Sequence, residues 1–338
     1  MAILVTGGAG YIGSHTVLAL LERGDEVVVV DNLSNASRES LNRVAELAGK
    51  APVTCIGDVR DTSLLRTLFA RHDITDVIHF AGLKSVSESI SQPLAYYENN
   101  VLGTVALLGE MQHAGVHSLI FSSSATVYGT PEKVPLDEQC LTAGTTNPYG
   151  TSKLMAEQIL RDFSRAQPRF TITCLRYFNP VGAHRSGKIG EDPRGIPNNL
   201  VPYISQVAIG KLDCLSVYGN DYPTRDGTGV RDYIHVMDLA CGHLAALDHQ
   251  PEDGAFRAIN LGTGTGYSVL ELIGAFEKEA GRKVNYRIAP RRPGDIAECW
   301  SDPSLAHRLL GWRATHSLDD MIRDTWNWQK KNPQGYQA

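Results

Sequence analysis

Tyr149 and Lys153 stand four residues apart, a spacing that stacks two side chains on one face of a helix. A tyrosine ordinarily titrates at about 10 and is a poor base at neutral pH. A neighbouring ammonium favours the phenolate, so the pair is suited to taking a proton from an alcohol. Upstream, the run Ser122-Ser123-Ser124 offers hydroxyls to the same chemistry. Ser124 is the candidate hydrogen-bond partner of a reacting hydroxyl, with Thr126 a second. Another constellation, Thr6-Gly7-Gly8-Ala9-Gly10-Tyr11-Ile12-Gly13, follows an apolar run directly. Glycines at 7, 10 and 13 allow a tight turn, close backbone approach to a pyrophosphate and close helix–strand packing. The helix they open turns its N–H groups and partial positive charge toward phosphate. Asp31 closes the next apolar run. A carboxylate there accepts from ribose hydroxyls and repels a 2′-phosphate, which selects NAD over NADP. The positive ring of an oxidised nicotinamide would act with Lys153 in favouring the Tyr149 phenolate. Asp58, in Gly57-Asp58-Val59, is a candidate adenine contact.

These groups need a scaffold that brings them together, and the first half of the chain supplies one. Short runs rich in Val, Ile, Leu and Phe (Ala2–Val5, Glu26–Val30, Val53–Ile56, Asp76–Phe80, Ser118–Ser122, Thr171–Arg176) alternate with amphipathic stretches such as Ile12–Arg23, Pro93–His113 and Tyr149–Phe163. That alternation predicts βα units on a parallel sheet covered on both faces. After about residue 177 the regularity fails, and residues 178–235 are rich in Gly, Pro, Asn and Asp. A helix is expected near Leu318–Lys331. The fold class expected is α/β: a Rossmann-type doubly wound sheet over residues 1–177, with a smaller mixed α/β C-terminal substrate-binding lobe over 178–338. The run Phe256–Leu261, within a segment near 234–261, is a candidate to return to the main sheet.

Composition narrows the function classes. The 338 residues carry 42% hydrophobic and 20% charged side chains and a net charge of −5, without a block of like charge. That is ordinary globular usage, and it disfavours nucleic-acid and acidic-membrane partners, which need a concentrated basic face. No apolar run approaches the roughly 20 residues of a membrane span, and the first residues lack the basic region and long apolar region of a signal peptide. Six cysteines, at 55, 140, 174, 214, 241 and 299, form no CxxC or zinc spacing and read as reduced thiols of a cytosolic chain. His113 and His117 are spaced as metal ligands, but Gly115 falls between them; no metal is expected.

The motifs Thr6–Gly13, Ser122–Gly129 and Tyr149/Lys153 resemble the extended short-chain dehydrogenases/reductases. Further runs, Phe80–Lys84, Arg176–Gly182, Gly195–Asn199, Gly229–His235 and Arg291–Asp295, extend the resemblance from end to end to the UDP-hexose 4-epimerases of that family. The resemblance implies tightly held NAD, a small-molecule UDP-hexose substrate and a hidden redox cycle at the sugar C4. Tyr149 removes the 4-hydroxyl proton, and the 4-keto sugar turns in its pocket before reduction on the other face. It also implies NAD contacts from Tyr11, Ile12, Asn32, Leu33, Ser34, Asn35, Ala36, Val59, Phe80, Ala81, Gly82, Lys84, Asn99, Ser124 and Phe178. A diphosphate anchor calls for the planar donor fork of arginine; by resemblance Arg231 and Arg292 supply it, with Asp295 on the uridine ribose. Asn179, Asn199, Leu200, Leu215, Ser216, Tyr218 and Tyr233 match positions around the nucleotide, and Lys84, Thr126, Tyr177 and Phe178 match positions near the sugar. Arg291 stays unassigned. Cys299 stands beside the sugar where many bacterial members carry tyrosine, which implies room for a 2-acetamido group and thus UDP-N-acetylhexoses as additional substrates. The related dehydratases and decarboxylases need an extra acid or base after the serine-rich strand, where this chain has Ala125-Thr126. The apolar faces of Pro93–His113 and Tyr149–Phe163 (Leu94, Val101, Val105, Leu108; Leu154, Ile159, Leu160) are expected to form a homodimer seam.

Overall fold

Five successive buried residues, Ala2–Thr6, make β1, and a strand with apolar groups on both faces must lie inside a covered sheet. The computed structural model describes residues 1–251, 254–292 and 294–337. Six more strands join β1: β2 (Glu26–Asp31), β3 (Val53–Ile56), β4 (Ile74–His79), β5 (Ser118–Ser124), β6 (Thr171–Tyr177) and, after further strands of the second lobe, Phe256–Leu261. That last strand pairs in parallel with β6, Phe256 opposite Ile172 through Leu261 opposite Tyr177, so a late segment of the chain closes the edge of the sheet. The sheet is parallel throughout. The chain moves outward from β1 through β2 to β3, then returns to place β4 on the other side of β1. This reversal opens a crevice at the carboxyl ends of β1 and β4, the usual ligand site of such sheets.

The second lobe is built on β7 (Asn179–Val181), β8 (Leu215–Tyr218) and β9 (Val230–His235), then β10, which is the Phe256–Leu261 strand, β11 (Gly266–Ser268), β12 (Tyr286–Ala289) and β13 (Glu298–Cys299). β9 is flanked by β7, β11 and β13, and β8 pairs with β12. The Leu318–Lys331 helix packs beneath this lobe, and its Trp328 indole N–H donates to the Glu191 carbonyl at 3.1 Å.

Two expectations are corrected. The fourth strand ends at His79, and Phe80 already belongs to the following turn, its N–H donating to the Thr6 carbonyl at 2.9 Å. The stretch Pro93–His113 is not one α-helix: Tyr97–Leu102 is a π-helical turn between α-helical Pro93–Tyr96 and Gly103–Ala114. The buried Asn100 accounts for the widened turn. Its side chain accepts from the Leu83 N–H at 2.8 Å and donates to the Leu83 carbonyl at 3.0 Å and to Ser152 Oγ at 2.9 Å. Such bulges recur at functional sites because the added residue re-aims side chains.

Candidate active site

The glycine-rich turn is shaped by close approach. Gly7 has a positive φ of 72°, and a Cβ there would lie 2.6 Å from the Ala81 nitrogen, so the loops after β1 and β4 touch only because residue 7 has no side chain. At Gly13 a Cβ would drive into the Gly7 carbonyl. The Tyr11–Arg23 helix starts at Gly10 with no side-chain cap and no acidic residue in its first turn. Its N–H groups therefore face the crevice unshielded, the electrostatic opposite of a site for a cation. Uncapped N–H groups beside a backbone cradle that a Cβ would fill fit a dinucleotide pyrophosphate.

Asp31 is buried at the end of β2 and accepts from the Ala9 N–H at 3.0 Å and the Leu33 N–H at 2.8 Å. Burial pushes its carboxyl up from the ordinary value, and these backbone donors oppose the shift. Asp31 thus also ties the glycine turn to the 32–36 loop, where Leu33 takes a φ of 56°. Asp58 is engaged by Arg60 and by Asn32 Nδ2 at 3.0 Å; the guanidinium holds its carboxyl well below the usual range. Arg194, which no sequence motif marks, reaches from the second lobe to the carbonyls of Leu33 at 2.8 Å and Ala36 at 3.0 Å.

Three residues of the Pro148–Ala166 helix, spaced four apart, meet three successive serines of β5. The helix begins cleanly because Asn147 accepts from the Gly150 N–H at 2.9 Å and Pro148 needs no donor partner at the first position. Tyr149 lies against Ser124: burial raises its pKa, and the Ser124 hydroxyl pulls the other way. Lys153 donates to the Ser122 carbonyl at 2.7 Å with its ammonium 4.8 Å from the Phe121 ring centroid, and burial brings its pKa down to about 8. Glu157, which the same four-residue spacing from Lys153 would have marked, accepts from Ser123 Oγ at 2.5 Å. Ser124 in turn accepts from Thr126 Oγ1 at 3.0 Å, at the start of a short 3₁₀ turn, Ala125–Tyr128. Gly82 brings the loop after β4 to this group, a Cβ there lying 3.6 Å from Lys153 Nζ.

Around this centre the expected residues fall into several groups. Lys84 Nζ donates to Glu191 at 3.1 Å, and Asn199 Nδ2 donates to the same oxygen at 3.0 Å, so Glu191 joins two elements that the sequence could not pair. Tyr177 is buried, its hydroxyl bonded to His243, which rests on Phe80 at 4.7 Å between ring centroids. Phe178 packs with Val127, Tyr128 and Leu136, and Cys299 lines that cluster. Cys299 pairs in register with Arg231, and Asn179 with Tyr233. Arg231 donates to the Val230 carbonyl at 2.9 Å. Arg292 stacks on Tyr218 at 4.7 Å and donates to Asp295 at 2.9 Å, which unites three expected nucleotide contacts. Arg291 instead binds Asp221 and stacks on Tyr222. Leu215 and Tyr233 are buried in the lobe's own core, Ser216 meets Arg287 at 3.4 Å, and Val59 packs under the main sheet. Asn99 lies in the π-turn, partly buried, beside the anchoring Asn100.

A family model described as GDP-mannose 4,6 dehydratase matches residues 4–325. The UDP-glucose 4-epimerase of Erwinia amylovora is 63% identical over 99% of both chains, and that of Bacillus subtilis is 58% identical over 100% of this chain and 99% of its own. A crystal structure of UDP-glucose 4-epimerase from Bifidobacterium longum in complex with NAD+ and UDP superimposes with a TM-score of 0.96 at 56% identity, covering 99% of this chain and 100% of that one. The chain belongs to the UDP-glucose 4-epimerase family. The match to the UDP-glucose 4-epimerases is full-length and takes in both the main sheet and the strands that follow it. The serine-rich strand runs into the Ala125–Tyr128 turn, which carries no carboxylate and turns Thr126 onto Ser124.

Proposed function

We propose that this protein interconverts UDP-galactose and UDP-glucose by reversible epimerisation at the hexose C4, with NAD resident in the crevice. The observation that carries the reading is the meeting of Tyr149, Lys153 and Ser124 beside an uncapped helix N-terminus whose glycine cradle fits a pyrophosphate. When bound, NAD supplies the acceptor and donor of hydride at the sugar C4, so that a 4-keto sugar is made and returned with no net redox change. Tyr149 takes and gives back the proton of the 4-hydroxyl, Ser124 hydrogen-bonds the same oxygen, and Lys153 favours the phenolate. Gly7, Gly10 and Gly13 admit the pyrophosphate, and Asp31 receives the adenosine ribose. In the second lobe, Arg231 and Arg292 hold the diphosphate of UDP with Asp295 on its ribose, a fixed anchor about which the hexose turns. Purified protein given UDP-galactose and no added nucleotide is expected to form UDP-glucose, followed by chromatography. No conversion, even with NAD supplied, overturns the reading.

The substrate range proposed includes UDP-N-acetylgalactosamine and UDP-N-acetylglucosamine. Cys299 is small, packs against the cluster that holds Phe178 and stands opposite Arg231, so residue 299 itself puts no ring beside the proposed sugar position. Cys299→Tyr is expected to lose the N-acetyl conversion and keep the other; full N-acetyl activity in that variant refutes the assignment.

A homodimer is proposed on the exposed apolar side chains of the same helices, among them Leu94, Leu102, Val105 and Met155, a patch that a second copy would cover. Leu108 and Leu160 turn into the protein's own core and do not belong to the patch. Light scattering should give a dimer that Val105→Glu splits; a stable wild-type monomer at micromolar concentration refutes it. All six cysteines are free thiols, which supports a cytoplasmic assignment. No helix among the described residues is long and apolar enough to cross a membrane.

A further inference from the structure

Behind the proton-transfer group lies a buried ion pair that the proposed chemistry leaves unused. Arg176, on β6, grips Glu157 with both arms of its guanidinium: Nε to one carboxylate oxygen at 3.0 Å and Nη2 to the other at 2.7 Å, with both side chains only 2% exposed. The remaining arm donates to the Tyr128 hydroxyl at 3.0 Å, which donates to Asn260 at 2.7 Å on β10. The pair thus joins the Pro148–Ala166 helix to the three strands β5, β6 and β10, since Ser123 of β5 donates to the same Glu157 carboxylate at 2.5 Å. Replacing such a pair by apolar groups is often neutral or favourable, so a buried pair is weak evidence of stabilisation by itself. Its placement suggests a different use. Glu157 follows Lys153 by one helical turn on the same face, and Ser123 lies between the serine whose carbonyl receives Lys153 and the serine that faces Tyr149.

We infer that Glu157 is a positioning residue for proton transfer: anchored by Arg176 and Ser123, it fixes the catalytic helix against the end of β5 and supplies the negative charge that keeps the Lys153 ammonium protonated. The inference rests on the reading of Tyr149 and Lys153 given above. Lys153 is faced by Glu157 from its own helix, by Cys174 on β6, by His79 on β4 and by the Phe121 ring and Ser122 carbonyl on β5, with Tyr149 one turn away on the helix, Gly82 packed near its Nζ, and Arg176 beyond Glu157 and Cys174. Burial holds Cys174 as a thiol and His79 as a neutral ring. The charges left are two cations, Lys153 and Arg176, and one anion, Glu157. Burial lowers the Lys153 pKa to about 8, and Glu157 is among the groups that raise it against that trend.

The test is the pH profile of kcat on UDP-galactose for Glu157→Gln, which keeps the volume and most hydrogen bonds but removes the charge. With the anion gone, Lys153 releases its proton more readily, so the alkaline limb is expected to move to lower pH by roughly one unit. A purely structural Glu157 would lower thermal stability and leave the limb in place, and a superimposable profile overturns the inference. Should Glu157→Gln not fold, Ser123→Ala keeps both charges and removes one tether; the expectation is a roughly tenfold loss of kcat at unchanged KM, and an unchanged kcat overturns it. Tyr149→Phe is assayed beside them. If it is inactive while the Glu157→Gln profile matches the wild type, the positioning role alone fails; if it is active, the underlying reading fails.

Discussion

The Lys153 ammonium is tied to the carbonyl of Ser122 at 2.7 Å, not to Tyr149, its neighbour one turn away. An ammonium has three donors. One anchors it to the sheet, and two remain for other acceptors. The strand therefore sets the height of the charge, and the helix sets the tyrosine. This arrangement makes the first prediction. Burial has brought Lys153 down to about 8, so the ammonium is lost as pH rises through that value. The kcat/KM of the protein on UDP-galactose is expected to fall on the alkaline side with an apparent pKa near 8. Lys153→Met is expected to lose roughly 10²-fold or more in kcat over the whole range, as removal of a positioned proton-transfer partner does. An alkaline limb above about pH 10, where an unperturbed lysine titrates, contradicts the assignment.

The second prediction concerns Gly13. A methyl group there collides with the Gly7 carbonyl, which is backbone and cannot swing away. Gly13→Ala is expected to displace the helix N-terminus and to release the nucleotide. The readout is the dinucleotide content of the purified protein after acid precipitation; a full complement would show that the cradle tolerates the displacement.

Arg292 gives the third. Its guanidinium lies over the Tyr218 ring and keeps its Nε on Asp295. A lysine supplies the charge without the plane or the fork. Arg292→Lys is expected to raise KM for UDP-galactose by roughly tenfold or more with a smaller change in kcat, because the anchor binds ground and transition states alike. Steady-state kinetics decide, and an unchanged KM removes Arg292 from the substrate site.

The fourth is a stability effect. His15 and His79 are pushed down to about 3 by burial, and His243 to about 4. In the unfolded chain a histidine titrates near about 6.5. Between those values the unfolded state binds more protons than the native one, so stability is full above about pH 6.5 and declines as pH falls toward about 4. Each such histidine contributes about 1.4 kcal/mol per pH unit within that window. Urea unfolding at about pH 7.5, 6 and 5 should show the decline, and His243→Gln should make it shallower. A flat response over that range refutes the account.

Much of the cofactor half is legible in the chain because its determinants are local. The glycine turn, the carboxylate ending the second strand and a tyrosine and lysine one turn apart are set by spacing of a few residues. Hydrophobic alternation places the six expected strands to within two positions at either end. The Pro93–His113 stretch misleads for a reason equally local in appearance. Its apolar pattern suits a regular helix, yet the turn is widened by what Asn100 finds at Leu83 and Ser152, partners remote in sequence. The resemblance names Asn99 as a cofactor contact, while the anchoring role of Asn100 rests on those remote partners and no spacing marks it.

The order of the elements and the identity of the groups with intrinsic chemistry belong to the chain alone, since a glycine's freedom and a phenol's acidity are properties of the residue. Which polar groups share a partner is settled only by tertiary structure. Glu191 receives Lys84 and Asn199 on one oxygen; Glu157 receives Arg176 and Ser123; Asp232 collects the N–H groups of Thr263, Gly264 and Ser301. A carboxylate in a sequence reads as a solvated charge. Only when the chain closes around it, removing water and supplying donors from distant segments, are its desolvation offset and its position fixed.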